Sequence, residues 1–379
     1  MRLSLNEDQQ QFREEVRAFT SQLEPEPLHH SVDEQFKYLV DFEHRLHDAG
    51  LAAVAWPTEY GGRGMSPLEY AIVCDELGRA EAPEVINFVG IDVIAPALLV
   101  YADAEQLATW LPLMASAEEI WCQLFSEPDA GSDLASLRTR AEKTDAGWTI
   151  NGQKVWSTWA QFATWGLLLA RTGTAEDRHR GITAFVIDMA TPGIDVRPLT
   201  TMTGSAEFAE VFFDNVELPD TALLGELGGG WQVAQVMLTA ERGPYAIRRS
   251  AVLRGAMTGL QRLATGTADP LARQRVAEAT IAMELLDLRI ADVVATLRRG
   301  EEIGADSALT KLFLGQVEQT IFSVAMEILG MGGIAYDSHD AAVVAWVERY
   351  LYSRASSIYG GTAQIQRNIV GERLLGLPR

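Results

Sequence analysis

The chain is 379 residues long, 47% hydrophobic and 22% charged, with a formal charge of −21 at pH 7. That composition excludes disorder and predicts two or three ordered domains, each large enough to bury a core. The acidity repels a phosphate backbone, which excludes nucleic acid as an expected partner. The longest uncharged run, Val155 to Ala170, contains Gln, Ser and Thr and falls short of the roughly 20 apolar residues of a membrane span.

The opening stretch, MRLSLNEDQQQFREEVRAF, is charged throughout and lacks the apolar core of a secretory signal, so a cytoplasmic location is expected. Asn6 with Gln9 predicts a capping box, and Phe12, Val16 and Phe19 then recur at spacings of four and three. Helical patterns continue to about residue 118, broken at Trp56-Pro57, Gly61-Gly62-Arg63-Gly64 and Pro83. Residues 1–118 are read as an all-α N-terminal domain.

Over 119–224 the pattern shortens to strands. Leu167–Ala170, Ile182–Ile187 and Val211–Phe213 are rich in branched and aromatic residues, and a hairpin is predicted with Asn151-Gly152 as a type I′ turn between Trp148-Thr149-Ile150 and Lys154-Val155-Trp156. A β barrel or sandwich is expected. Over 225–379 helices return. Ala279, Met283, Leu286, Ile290, Val293 and Leu297 form one stripe, and Leu314, Val317, Ile321, Val324 and Ile328 another. Read as core seams, they predict an antiparallel four-helix bundle. The fold class is therefore α+β and multidomain.

Generic chemical motifs are scarce. Neither GxxxxGK[ST] nor GxSxG occurs. Gly330-Met331-Gly332-Gly333-Ile334-Ala335 fits GxGxxA but follows a helical seam, where a dinucleotide fingerprint must follow a strand, so it reads as a helix-ending turn. His29-His30 and His44 with His47 lack partners at metal-ligand spacing, and no metal is expected. Cys74 and Cys122 read as buried thiols. The run from Cys122 to Asp133, CQLFSEPDAGSD, packs hydroxyls, acids and glycine at the entrance to the β domain; alone it reads as a tight capped loop before a ligand-binding one.

Four stretches in order give the chain a specific likeness: WPTEYGGRGMSPLEYAIVCDELGRA, FSEPDAGSDLASLRTRA, INGQKVWSTWAQFATW and IYGGTAQIQRNIVGERLLGLPR. With these it resembles the acyl-CoA dehydrogenase family over nearly its whole length. The resemblance implies FAD held between the middle domain and the C-terminal bundle, an acyl-CoA substrate, an electron-transfer flavoprotein as electron acceptor, and a homotetramer or heterotetramer. By the same resemblance Phe125 and Ser126 lie along the isoalloxazine ring, Ser132 lines the flavin or pantetheine edge, Trp156 packs on the flavin face away from substrate and Thr158 bonds near the reactive nitrogen. Thr362 and Gln364 match positions at the cofactor's phosphate and ribose. Without the resemblance, Trp156 reads as a core aromatic of a hairpin.

Desaturation of an acyl thioester needs a carboxylate to remove the α proton as the β hydride leaves for the flavin. Many members of the family carry it just before the Gly-Thr of the C-terminal motif, where this chain has Gly360. A branch with isovaleryl-type and long-chain-type members carries it on a bundle helix before an arginine, and the match here is Glu241-Arg242. Glu241 is the expected base, Arg242 the residue that sets field and position, and the Gly360 backbone N–H a donor to the thioester carbonyl. Taken alone, Glu-Arg in a helix reads as a solvated ion pair. The Gly243-Pro244 pair predicts a kink that aims Glu241 inward or a helix start that leaves it outside. The Arg-x-x-Phe-Gly stretch common in the family is replaced by Asp269-Pro270-Leu271-Ala272-Arg273-Gln274-Arg275. Two other functions fit the same residues: a non-catalytic or half-catalytic subunit of a mixed tetramer, and a flavin oxidase or carrier-protein thioester dehydrogenase.

Overall fold

A computed structural model describes residues 5–27, 29, 31–334 and 340–378. His30 of the histidine pair and Ala335 of the glycine-rich run lie outside the described residues. Helix α1 (Glu7–Thr20) starts as predicted. Asn6 Oδ1 accepts the Gln9 N–H at 2.8 Å, Gln9 Oε1 accepts the Asn6 N–H at 3.1 Å, and Phe12 and Val16 are buried. Helices α2 (Val32–Asp48) and α3 (Pro67–Arg79) follow, then a π-helical turn, Val89–Ile94, that runs into α4 (Ala95–Tyr101) and α5 (Ala104–Ala115).

The middle segment holds strands β1 (Trp121–Leu124), β2 (Arg140–Thr144), β3 (Gly147–Thr158), β4 (Trp165–Arg171), β5 (Ile182–Asp188), β6 (Ile194–Leu199), β7 (Phe208–Leu218) and β8 (Leu223–Leu224). They form one eight-stranded sheet in the order β6-β7-β3-β2-β4-β5-β8, with β1 added in parallel on β4. Leu124, Ile150, Phe185 and Val211 fill its own core. Cys122 is buried there and Cys74 on α3, both as free thiols.

The hairpin lies elsewhere than expected. β2 and β3 turn at Asp145-Ala146, with Thr144 opposite Gly147, while β3 continues straight through Asn151-Gly152. Those two residues serve a bulge, not a turn: the β3–β7 register shifts between Ile150 and Gly152. Asn151 Oδ1 accepts the Asn215 N–H at 2.9 Å, and Gly152 adopts φ +153°, where an added Cβ would sit 2.7 Å from Thr139 Cα. An Asn-Gly pair meets the positive-φ demand of a bulge as well as that of a turn, so the dipeptide alone does not separate the two.

The C-terminal segment comprises α6 (Gly230–Glu241), α7 (Pro244–Leu263), α8 (Pro270–Arg298), α9 (Asp306–Leu329), the short α10 (Met331–Ile334), α11 (Ala341–Tyr352) and α12 (Ala363–Ile369). Both predicted stripes face inward. Ala279, Met283, Leu286, Ile290 and Val293 are buried on α8, and Leu314, Val317, Ile321 and Val324 on α9, with Leu297 and Ile328 packed at the edge of the same core. Gly330 ends α9 at φ +53°. Helix α9 is long and apolar enough to cross a membrane, yet it packs against α7, α8, α11 and α12 and buries Lys311 and Glu318.

Two glycines lock the N-terminal helices onto this bundle. Where α3 crosses α7, a Cβ on Gly78 would stand 2.1 Å from the Ala251 carbonyl oxygen, and one on Gly255 would stand 2.2 Å from the Gly78 carbonyl oxygen. Only bare backbones fit. Gly255→Ala is therefore expected to lower the thermal unfolding midpoint by the equivalent of about 1–3 kcal/mol. Gly332→Ala, which meets no atom within 4 Å, should leave it unchanged within about 0.5 kcal/mol.

Candidate active site at the domain junction

Two sets of predicted residues assemble at separate places. The first lies on the sheet, around the end of β1 and the last third of β3. Lys154, on β3, has no exposed surface; its Nζ donates to the Phe125 carbonyl at 2.9 Å and to Glu127 Oε1 at 2.8 Å. Glu127 also accepts the N–H groups of Arg138 and Thr139. Burial pulls the Lys154 ammonium down to about 8 despite Glu127. Burial works against the Glu127 carboxylate too, but Lys154 and the donated N–H groups overcome it and hold that group below its ordinary value. A buried pair of this kind is weak evidence of stability but strong evidence of position. It welds Phe125-Ser126 to β3, and the Val155 N–H donates to the Ser126 carbonyl at 2.9 Å.

Trp156 comes next along β3. It adopts φ +62°, costly for a bulky residue, and leaves 60% of its surface exposed, with its ring edge-on to Phe208 at 6.0 Å. The expectation of a hairpin-core aromatic is thereby corrected: the register shift between Lys154 and Ser157 turns the indole outward. Thr158 ends the strand half-buried, and Ser157 beside it buries a hydroxyl that finds no partner among the described residues. Phe125, Ser126, Trp156 and Thr158 are thus neighbours. Ser132 is exposed on the following loop, and no hydrogen bond joins it to them among the described residues.

The second set surrounds the end of α6. Helix α6 stops at Glu241 and α7 starts at Pro244, with Gly243 at φ −110°, ψ −96° between them. The break is a helix start, and Glu241 still lies within the protein, half-buried. Its carboxylate makes no hydrogen bond or ion pair among the described residues, so the solvated ion pair with Arg242 is not formed. Arg242 instead donates Nε to the Leu238 carbonyl at 2.7 Å. Burial pushes the Glu241 carboxyl above the usual glutamate value, against the pull of Lys311 and then Arg242.

Gly360 meets Glu241 from the far side. It adopts φ +63°, and a Cβ there would stand 2.7 Å from Glu241 Oε1 and 3.0 Å from Lys311 Cε. The Gly360 carbonyl accepts from Gln366 Nε2 at 2.7 Å, while its N–H has no partner among the described residues. A free carboxylate and a free N–H donor therefore flank one α-carbon. Thr362 caps α12, its hydroxyl accepting the Ile365 N–H at 3.2 Å, and Gln364 is exposed on that helix.

Lys311, Gln366 and the Lys154–Glu127 pair escape a motif reading. Lys311 Nζ donates to the Ser356 carbonyl and lies 4.3 Å from the centre of the Tyr359 ring, and burial brings it down to about 8. A signal existed: Lys311 falls three residues before Leu314 on the apolar stripe, and an unpaired lysine at a core position is rarely structural filler.

Family models match in succession: the acyl-CoA dehydrogenase N-terminal domain at residues 6–118, the middle domain at 122–216 and the C-terminal domain at 228–375. Matches to all three domains in that order define a protein of the acyl-CoA dehydrogenase class. The chain belongs to the acyl-CoA dehydrogenase family, which is FAD-dependent. Among its relatives, acyl-CoA dehydrogenase IpdE1 of Mycobacterium tuberculosis (strain H37Rv) is 37% identical over 351 residues, covering 91% of this chain and 90% of that protein. Of solved structures, the Tcur3481-Tcur3483 steroid ACAD superposes with a TM-score of 0.88 at 25% identity, and the ChsE4-ChsE5 complex from Mycobacterium tuberculosis with 0.83 at 27%, all of both chains being covered in each case. The end of β3 beside the loop after β1 fits a flat aromatic cofactor, since it offers an outward indole, backbone groups at Phe125-Ser126 and the Ser157 hydroxyl, unpartnered among the described residues.

Gly360→Ala should cost about 1–3 kcal/mol of stability, read from thermal unfolding, because its Cβ overlaps the Glu241 carboxylate. In a Glu241→Ala background the same change should cost measurably less; equal costs in both backgrounds would show that the two residues do not compete for space.

Proposed function

We propose that the chain dehydrogenates an acyl-CoA thioester between its α and β carbons, with Glu241 as the base. The observation that carries this reading is the unpaired, half-buried carboxylate of Glu241 beside the free N–H of Gly360. Glu241 takes the α proton as a carboxylate and becomes the neutral acid. Its raised pKa makes it a stronger base than a solvated glutamate, closer in strength to the weak carbon acid it serves. The Gly360 N–H donates to the thioester oxygen as negative charge develops there, an interaction of a few kcal/mol in a site without water. Arg242, turned back on its helix end, and Lys311, across Gly360, hold positive charge near the carboxylate.

Phe125, Ser126, Ser132, Trp156 and Thr158 would hold the flavin ring end of FAD, and Thr362 and Gln364 its phosphate and ribose region. Bound FAD supplies the acceptor for the β hydrogen and its electron pair. We further propose that an electron-transfer flavoprotein collects those electrons, and that the acyl group belongs to a steroid-like lipid, a reading supported by the likeness to the steroid ACAD. A second reading, one subunit of a two-chain assembly, is favoured by a specific observation: two structural neighbours are named as pairs of different chains.

Glu241→Gln should slow flavin bleaching by acyl-CoA by about two to four orders of magnitude while the protein stays yellow. For the native enzyme, kcat/KM should rise with pH through a value above the ordinary glutamate range. Lys311→Met, which removes a cation that favours the carboxylate, should move that rise to higher pH; an unmoved profile would sever Lys311 from the base. Trp156→Gly relieves a positive-φ strain of about 1 kcal/mol. The apoprotein should therefore unfold at or above the native midpoint, while the flavin content of the purified protein falls.

A further inference from the structure

Each turnover of the reaction proposed above leaves a proton on Glu241, and the base is restored only when that proton departs. A thioester held at the Gly360 N–H covers one side of the carboxylate. Lys311 stands at another. The place where a Gly360 Cβ would be lies 2.7 Å from Glu241 Oε1 and 3.0 Å from Lys311 Cε, so the two side chains converge on one point beside a bare α-carbon. Lys311 is also the cation that acts most strongly on that carboxyl, ahead of Arg242.

The same lysine lines a cleft of about 140 Å³ between α9, residues 356–361 and α12. Lys311, Ser356 and Gln366 form its buried end, and the exposed Gln316 and Arg367 its mouth. Thr362 and Gln364, expected at the cofactor, do not line it. Such a cavity holds several waters where each finds roughly two to four polar partners. Gln366 is the clearest of these. Its side chain is 1% exposed and its Nε2 donates to the Gly360 carbonyl, while its Oε1 is buried without a hydrogen-bond partner among the described residues. A buried amide oxygen left in that state destabilises the fold until a donor reaches it. Lys311 has donors to offer water as well: of three ammonium N–H groups it commits one, to the Ser356 carbonyl, among the described residues. The groups that face it are Glu241 and Arg242 from α6, Arg249 from α7, Glu318 on its own helix and the Tyr359 ring. Burial brings the ammonium down to about 8, where it exchanges protons readily near neutral pH.

We propose that Lys311 and the water of this cleft are the route by which Glu241 gives up its proton. The Lys311 ammonium passes a proton to cleft water, and the resulting amine takes the proton of the Glu241 carboxylic acid. Carboxylate and ammonium are then both restored, and the net change is one proton moved from Glu241 to solvent. Lys311 and Glu241 form no ion pair at rest among the described residues; a turn of the flexible lysine chain away from the Ser356 carbonyl closes the distance. Gly360 contributes by leaving that path open. The inference rests on the reading of Glu241 as the base and adds the fate of its proton.

The test uses the flavin-loaded full chain in D2O with octylthioacetyl-CoA and decalinylthioacetyl-CoA. Each carries sulfur in place of the β carbon, so an α proton can be taken but no hydride follows. Mass spectrometry reads replacement of the α hydrogens by deuterium, which requires the proton to leave Glu241. The long-wavelength absorption of the α-carbanion beside oxidised flavin reads proton removal alone. Lys311→Met should slow the exchange at least about ten-fold while the absorption forms as in the native protein. Ala363→Leu, which narrows the cleft and leaves every charge in place, should slow the exchange too; should Lys311→Met fail to fold, this variant decides alone. Exchange at the native rate in either variant overturns the proposal, as does a loss of exchange matched by an equal loss of the absorption. A native protein that binds a thioester by calorimetry yet shows neither absorption nor exchange overturns the reading of Glu241 as the base, and the proposal with it.

Discussion

At the end of α6 a carboxylate oxygen and any side chain on residue 360 would compete for the same space. With 2.7 Å between Glu241 Oε1 and the place where a Cβ would be, only one of the two positions can carry a side chain in this geometry. Glycine yields the room, and its φ of +63° leaves the N–H beside the carboxylate unpartnered. The same bareness admits Lys311 from the other side, so one missing side chain sets the location of the proposed base, the availability of a donor and the sign of the local field.

Around this point the junction of the helical segments is crowded with charges that are buried and paired. Arg249 is matched by Glu318 and Arg248 by Asp92. Pairs of this kind rarely add net stability, but breaking one strands a charge at a cost of several kcal/mol. They therefore fix geometry. Against that background of satisfied charges, the Glu241 carboxylate has no protein hydrogen bond or ion pair among the described residues.

Much of the architecture was legible in the sequence because it follows from period. The stripes on α8 and α9 repeat at 3.6 residues and are buried where predicted, and the Asn6–Gln9 box closes as a four-residue signal should. Glu241 was legible by resemblance alone, since a Glu-Arg pair carries no mark of burial. Asn151-Gly152 misled because its backbone requirement is shared by turns and bulges, and the choice between them is made by β7, some 60 residues away in sequence. Lys311 was half legible: its place on the apolar stripe of α9 is a local signal, but what the chain brings near it from α6 and the loop at residue 360 is recorded by no local pattern.

The interruption at Gly243-Pro244 has a mechanical side. Helix α6 leans on β5, α4 and the π-helical turn, whereas α7 is gripped by α3, α8 and α9. Had the two formed a single rod, any tilt of the sheet relative to the bundle would swing its middle, and the carboxylate with it, through an arc. Cut at that point, the rod becomes a universal joint with Glu241 at the pivot. Sheet and bundle can then be re-angled, by drift over generations or by engineering, while the least movable spot remains the carboxylate proposed to serve as the base.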